Sequence, residues 1–118
     1  MNPAPLSLSV TRGIISDQID IYCQDANKKA VDLTGWDVFA QVRDEPEGDM
    51  ILDLLPVIVD APGGHVRIPS LSDDATFALS EDAAFWDLIF QTPNGDRIGP
   101  FLAGSYTIQS IITEVPDP

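Results

Sequence analysis

Histidine and cysteine each occur once in this chain, as His65 and Cys23, and lysine and arginine together only six times in 118 residues. A single cysteine excludes an internal disulfide and fits synthesis in a reducing compartment. One cysteine and one histidine are too few for a structural zinc site. No stretch nears the roughly 18 consecutive apolar residues of a membrane-spanning helix. The opening Met1-Asn2-Pro3-Ala4-Pro5 lacks the basic and apolar regions of a secretory signal, so the expectation is a chain made in the cytoplasm and released by lysis.

Bases are few and acids plentiful: 19 aspartates and glutamates leave a net charge of −13. Such a surface repels nucleic acid and anionic membranes over about 8 Å at physiological salt. The charge reads as solubility for a protein held at high local concentration. A mimic of DNA would want carboxylates in ordered rows on helices. Here they scatter through turns such as Asp44-Glu45-Pro46-Glu47-Gly48-Asp49 and the C-terminal tail.

The residue types that carry chemistry are also sparse. A histidine-centred triad would have to use His65, which opens a strand after Gly63-Gly64 and reads as a solvent-side residue. No serine occupies a G-x-S-x-G elbow. Cys23 falls in phase with Ile19 and Ile21 and reads as a small buried hydrophobe. Acid pairs such as Asp73-Asp74 and Glu81-Asp82 lack the spacing of a calcium loop. Plentiful acids leave a two-carboxylate glycosidase open, but a domain of this size has little chain left for a substrate groove. No phosphate loop and no basic–aromatic pattern occurs. The expectation is therefore a protein without catalytic residues, cofactor or metal, acting through its surfaces.

What the sequence does hold is strand. Leu6, Leu8 and Val10 alternate with serines, and Gln18 to Gln24 sets Ile19, Ile21 and Cys23 against Asp20, Tyr22 and Gln24. Trp36 to Arg43 opposes Val38, Ala40 and Val42 to Asp37, Phe39, Gln41 and Arg43, the period of two that a half-buried strand requires. Met50 to Val59 contains Pro56, which cannot donate to a ladder, so it reads as two short strands or one bulged edge strand. His65 to Ile68 returns after Pro62-Gly63-Gly64. Leu71 to Leu79 predicts a helix of about two turns, capped by Ser70 or Ser72 and crossing between sheets. Ala84 to Gln91 places Trp86, Leu88 and Phe90 on one face. Pro93-Asn94-Gly95-Asp96 then makes a tight hairpin to Arg97–Ala103, Gly104 marks a bulge, and Tyr106, Ile108 and Ile112 continue along an edge.

One domain over 1–118, with its core at about 6–114, follows from this length. Roughly seven or eight short strands predict an all-β, immunoglobulin-like antiparallel sandwich with one short helical crossover; a small closed barrel is the rival.

Strand phase also names outward hydrophobes. With Val38, Ala40 and Val42 inward, Phe39 points away; with Trp86, Leu88 and Phe90 inward, Phe85 and Ile89 do. Isolated outward hydrophobes are ordinary and pack against a surface neighbour. Three on strands of one sheet can also form a patch that a partner covers, which makes Phe39, Phe85 and Ile89 the candidate interface residues.

The order of motifs adds a resemblance. Thr11-Arg12-Gly13 precedes a strand, and Ala30-Val31-Asp32-Leu33-Thr34-Gly35-Trp36 leads into Val38-Phe39-Ala40-Gln41-Val42-Arg43. Leu71-Ser72-Asp73-Asp74 follows, then Phe85-Trp86-Asp87-Leu88-Ile89-Phe90 with its Asn-Gly hairpin, and a last strand near Gly104. In physical terms Asp32 and Thr34 close a polar turn, Gly35 allows an unusual backbone angle, and Trp36 plugs one end of a sandwich. This arrangement, over roughly residues 10–115, resembles small β-sandwich domains of bacteriophage and prophage tail modules, similar to the N-terminal domain of baseplate upper proteins.

The resemblance implies a virion structural protein, a tail, baseplate or tail-fibre adaptor component. Its implied partners are other virion proteins and copies of itself, as a trimer or hexamer, with no nucleic acid and no membrane. Head decoration or a head–tail connector is the alternative. A carbohydrate-binding module is disfavoured because Trp36 and Trp86 both phase inward.

Overall fold

Alternation of apolar and polar side chains sets which face of each strand meets the core, and the computed structural model shows how those faces are assembled. It describes residues 4–45, 47–79 and 82–110. The strands are β1 (Ala4–Pro5), β2 (Leu8–Thr11), β3 (Ile19–Tyr22), β4 (Asp37–Arg43), β5 (Met50–Asp53), β6 (Val57–Asp60), β7 (His65–Ile68), β8 (Ala83–Gln91) and β9 (Arg97–Gln109). One helix, α1 (Asp73–Phe77), lies between β7 and β8.

The strands divide into two sheets. The larger runs β1-β9-β8-β4-β5, with β2 also on β9; the smaller runs β3-β7-β6. No strand pairing joins the two sheets among the described residues, so the architecture is a sandwich and not a closed barrel. In immunoglobulin terms β3, β7 and β6 hold the B, E and D places, while β4, β5, β8 and β9 hold C, C′, F and G.

The core lies between the layers. Ala40 and Val42 from β4, Ala84, Trp86, Leu88 and Phe90 from β8, and Tyr106 and Ile108 from β9 pack with Cys23, Val66 and Ile68 of the opposite layer. Each of these is at most 3% exposed. Burying one such large side chain contributes about 1.5–3 kcal/mol, so the inward face of β8 is a main source of stability. Cys23 behaves as the hydrophobe its phase predicts: burial pushes its thiol up to about 11.

Pro56 splits Met50–Val59 into two short strands, β5 and β6, which lie at the edges of different sheets. The buried Leu54 carries the chain across and donates its N–H to the Ala40 carbonyl at 2.9 Å. Helix α1 is the expected crossover, shorter than the predicted 71–79. Ser72 is its cap, accepting the Ala75 N–H at 3.1 Å.

Four details depart from the sequence reading. The sandwich is not wholly antiparallel, because β1 and β2 run parallel to β9. Gly104 does not mark a bulge; it pairs in register with Trp86, and the irregularity falls between Leu88 and Phe90, opposite Gly99–Phe101. Gly104 is needed for a different reason, since a Cβ there would collide with the Leu6 carbonyl where the chain passes between β1 and β2. That same carbonyl accepts the Trp86 indole N–H at 2.8 Å, and Leu6 donates its N–H to Ala103 at 3.0 Å. Trp36 precedes β4 and is half-buried, set edge-on to Phe90 at 5.7 Å. The fourth departure, the setting of His65, belongs to the sheet faces described below. Ile112 and the chain beyond it lie outside the described residues.

Candidate interaction surface

β4 and β8 are adjacent interior strands of the large sheet, and their outward residues carry the three candidates. Phe39 is 43% exposed and Phe85 49%, while Ile89 is half-buried. The antiparallel register places Phe39 directly opposite Ile89, so these two form a cross-strand pair. Phe85 stands opposite Arg43, four residues along β8 from Ile89. Between them Gln41 faces Asp87. The three hydrophobes therefore make one apolar pair and one separate aromatic, divided by a polar step.

Two shallow depressions follow from this spacing. One, of about 200 Å³, is bounded by Phe39, Ile89, Gln91 and Arg97; the other, more open, lies among Phe85, Arg43, Glu45 and Glu47. Gln41 and Asp87 border both. Arg43 is occupied locally, donating to the Gly48 carbonyl at 2.6 Å and to the Gln41 side chain at 2.8 Å. Neither Arg43 nor Arg97 forms an ion pair among the described residues. The face thus mixes apolar side chains with uncompensated charges of both signs.

The outward face of the small sheet is organised differently. The Asp20 carboxylate accepts from His65 Nε2 at 2.8 Å and from Arg67 Nε at 2.9 Å. These two hydrogen bonds, that from Arg67 first, hold the Asp20 carboxyl below the ordinary carboxylate range. Tyr22 stacks on His65 with ring centres 4.4 Å apart and an interplanar angle of 18°. His65 is therefore not a free surface histidine: its side chain is 14% exposed, pinned by Asp20 and covered by Tyr22.

Alternation alone puts Asp20 and Tyr22 outward. It does not reveal that β3 pairs with β7 so that Tyr22 meets His65 and Asp20 meets Arg67. The available signal was opposite charge and aromatic character in phase on two strands, without the register to join them.

The loop leading to β4 matches its sequence reading. The Asp32 carboxylate accepts from the Thr34 N–H at 3.0 Å and the Thr34 hydroxyl at 2.6 Å, and both bonds lower its pKa. Gly35 takes a positive φ of 79°. Among the described residues no group of three or more histidines, cysteines, aspartates or glutamates is placed to hold a metal ion. No helix among them is long and apolar enough to cross a membrane. No protein-family model matches the chain, and no curated protein matches it either.

Proposed function

We propose that this domain is a structural module of a bacteriophage tail, baseplate or tail-fibre adaptor, working by protein–protein contact through the outward face of its large sheet. The observation that carries the contact is the exposed Phe39, paired across strands with the half-buried Ile89 on that face, with the exposed Phe85 beyond it. About half of the Phe39 and Phe85 side chains is left open to solvent, and an aromatic on an interior strand offers a large area for a partner to bury. The tail assignment draws on the motif order from Thr11 to Gly104, which resembles tail-module sandwiches.

The contact is testable without knowing the partner. Sedimentation velocity of the purified chain should show a trimer or hexamer that Phe39→Asp reduces to monomer. The variant's unfolding midpoint should stay close to the parent's. A matching loss of stability would show that Phe39 serves the fold, and an unchanged oligomer would remove Phe39 from the contact. A parent chain that is strictly monomeric and binds only preformed particles would favour head decoration. Salt separates the partners further. Association between copies that each carry a net charge of −13 should strengthen with ionic strength, whereas docking on a basic partner should weaken.

A further inference from the structure

A second site lies away from both sheet faces, where the layers part at one side of the sandwich. A cleft of about 200 Å³ opens there, lined by Leu8, Val10, Ile19, Ile68, Leu71 and Tyr106. Ser9 lines it as well, so three consecutive residues of β2 border the space. Successive side chains of a strand leave on opposite faces, so a strand can do this only along its edge. The cleft therefore enters between the outer edge of β2, which pairs with β9 alone, and β3, the edge of the small sheet.

Tyr106 gives this space chemical character. It is 3% exposed and borders the cleft; its phenol makes no hydrogen bond to another described residue, and its oxygen is not sealed from solvent, because every buried polar side-chain atom among the described residues has a partner. A solvent-open hydroxyl with no protein partner is free to donate to whatever occupies the space beside it. Burial also pushes the phenol up to about 12, so it remains a protonated donor at any physiological pH. The rest of the wall is mostly branched aliphatic. Asp17, exposed at the rim, and the chain's net charge of −13 both oppose an anion.

We infer that this cleft binds a small, uncharged, largely apolar organic molecule, one ring or its aliphatic equivalent in size, with one acceptor that receives a hydrogen bond from the Tyr106 hydroxyl. Size supports the fit, since an apolar cavity of about 150 Å³ is enough to hold benzene. The site is independent of the Phe39 face, which belongs to the outside of the large sheet.

Three probes of similar size test it: acetophenone, with a ring and a neutral acceptor; ethylbenzene, with the ring alone; and benzoate, with the ring and a negative charge. Amide chemical shifts of the labelled full chain locate and quantify binding. Acetophenone should shift Leu8, Val10, Ile19, Ile68 and Leu71, and should bind about five-fold tighter than ethylbenzene, the worth of one net hydrogen bond. Benzoate should leave these amides unmoved. Tyr106→Phe keeps the ring and the fold and should erase the preference for acetophenone, while ethylbenzene binding persists. Absence of localised shifts with acetophenone overturns the inference. So does equal binding of the two neutral probes to the parent, or a preference that survives Tyr106→Phe. If Tyr106→Phe is poorly dispersed, Leu8→Trp provides the second test, because filling the entrance should abolish shifts from both neutral probes.

Discussion

The two outward faces of this sandwich obey the same alternation, yet their charged groups end in different states. On the small sheet, Asp20, His65, Arg67 and Tyr22 satisfy one another across β3 and β7, with a shared carboxylate and a stacked ring pair. On the large sheet, Phe39, Phe85, Asp87 and Arg97 find no equivalent network among the described residues. The difference lies in what each register brings opposite. The small sheet pairs its charged groups internally, although Val57 and Val59 of its edge strand β6 stay exposed. A face with hydrophobes and charges left over is suited to a partner that completes it.

The comparison breaks most visibly at adjacent positions of β8. Trp86→Ala should cost about 3–5 kcal/mol, because it empties a buried site and removes the donor to the Leu6 carbonyl. Denaturant unfolding measures this, and a loss under about 1 kcal/mol would contradict the inward placement.

Gly104→Ala comes next, at about 1–3 kcal/mol, since the new methyl meets the Leu6 carbonyl and must push the β1–β2 segment away from β9. A thermal melt reads the effect, and amide exchange should report faster opening of β2 than of β8.

On the small sheet the expected effect is a pH dependence. The folded Asp20 carboxyl lies below its unfolded value of about 3.9, so its contribution is present above that pH and is lost as pH falls through the folded pKa. The gap in melting temperature between the parent and Asp20→Asn should therefore narrow as the pH is lowered below about 4. A gap constant with pH would mean that the carboxylate does not hold this face together.

The smallest effect belongs to the open face. Phe85→Ala, one residue from Trp86, should change stability by less than about 0.5 kcal/mol in the dissociated chain, as expected for a surface position. A cost near that of Trp86→Ala would erase the distinction between the two sides of β8.

Much of this was legible from local pattern. The period of two fixed which side chains of β3, β4 and β8 face inward, and Pro56 divided the β5–β6 segment. Asp32, Thr34 and Gly35 announced their turn, and Ser72 its cap. These are short-range effects, in which sterics and local hydrogen bonds act within a few residues.

Tertiary structure decided what lies far apart in the chain. The parallel pairing of β2 with β9 joins residues nearly a hundred positions apart, and no local signal marks it. The glycine at 104 is required by a carbonyl from residue 6, not by its own strand. Cross-strand register set His65 against Tyr22 and slid Gln41–Asp87 between the outward hydrophobes. The cleft beside Tyr106 exists only because two sheet edges diverge. Alternation tells a side chain which face it takes, but the neighbour it meets depends on how distant strands align. In this fold that alignment pairs the charged groups of one face and leaves those of the other without ion pairs among the described residues.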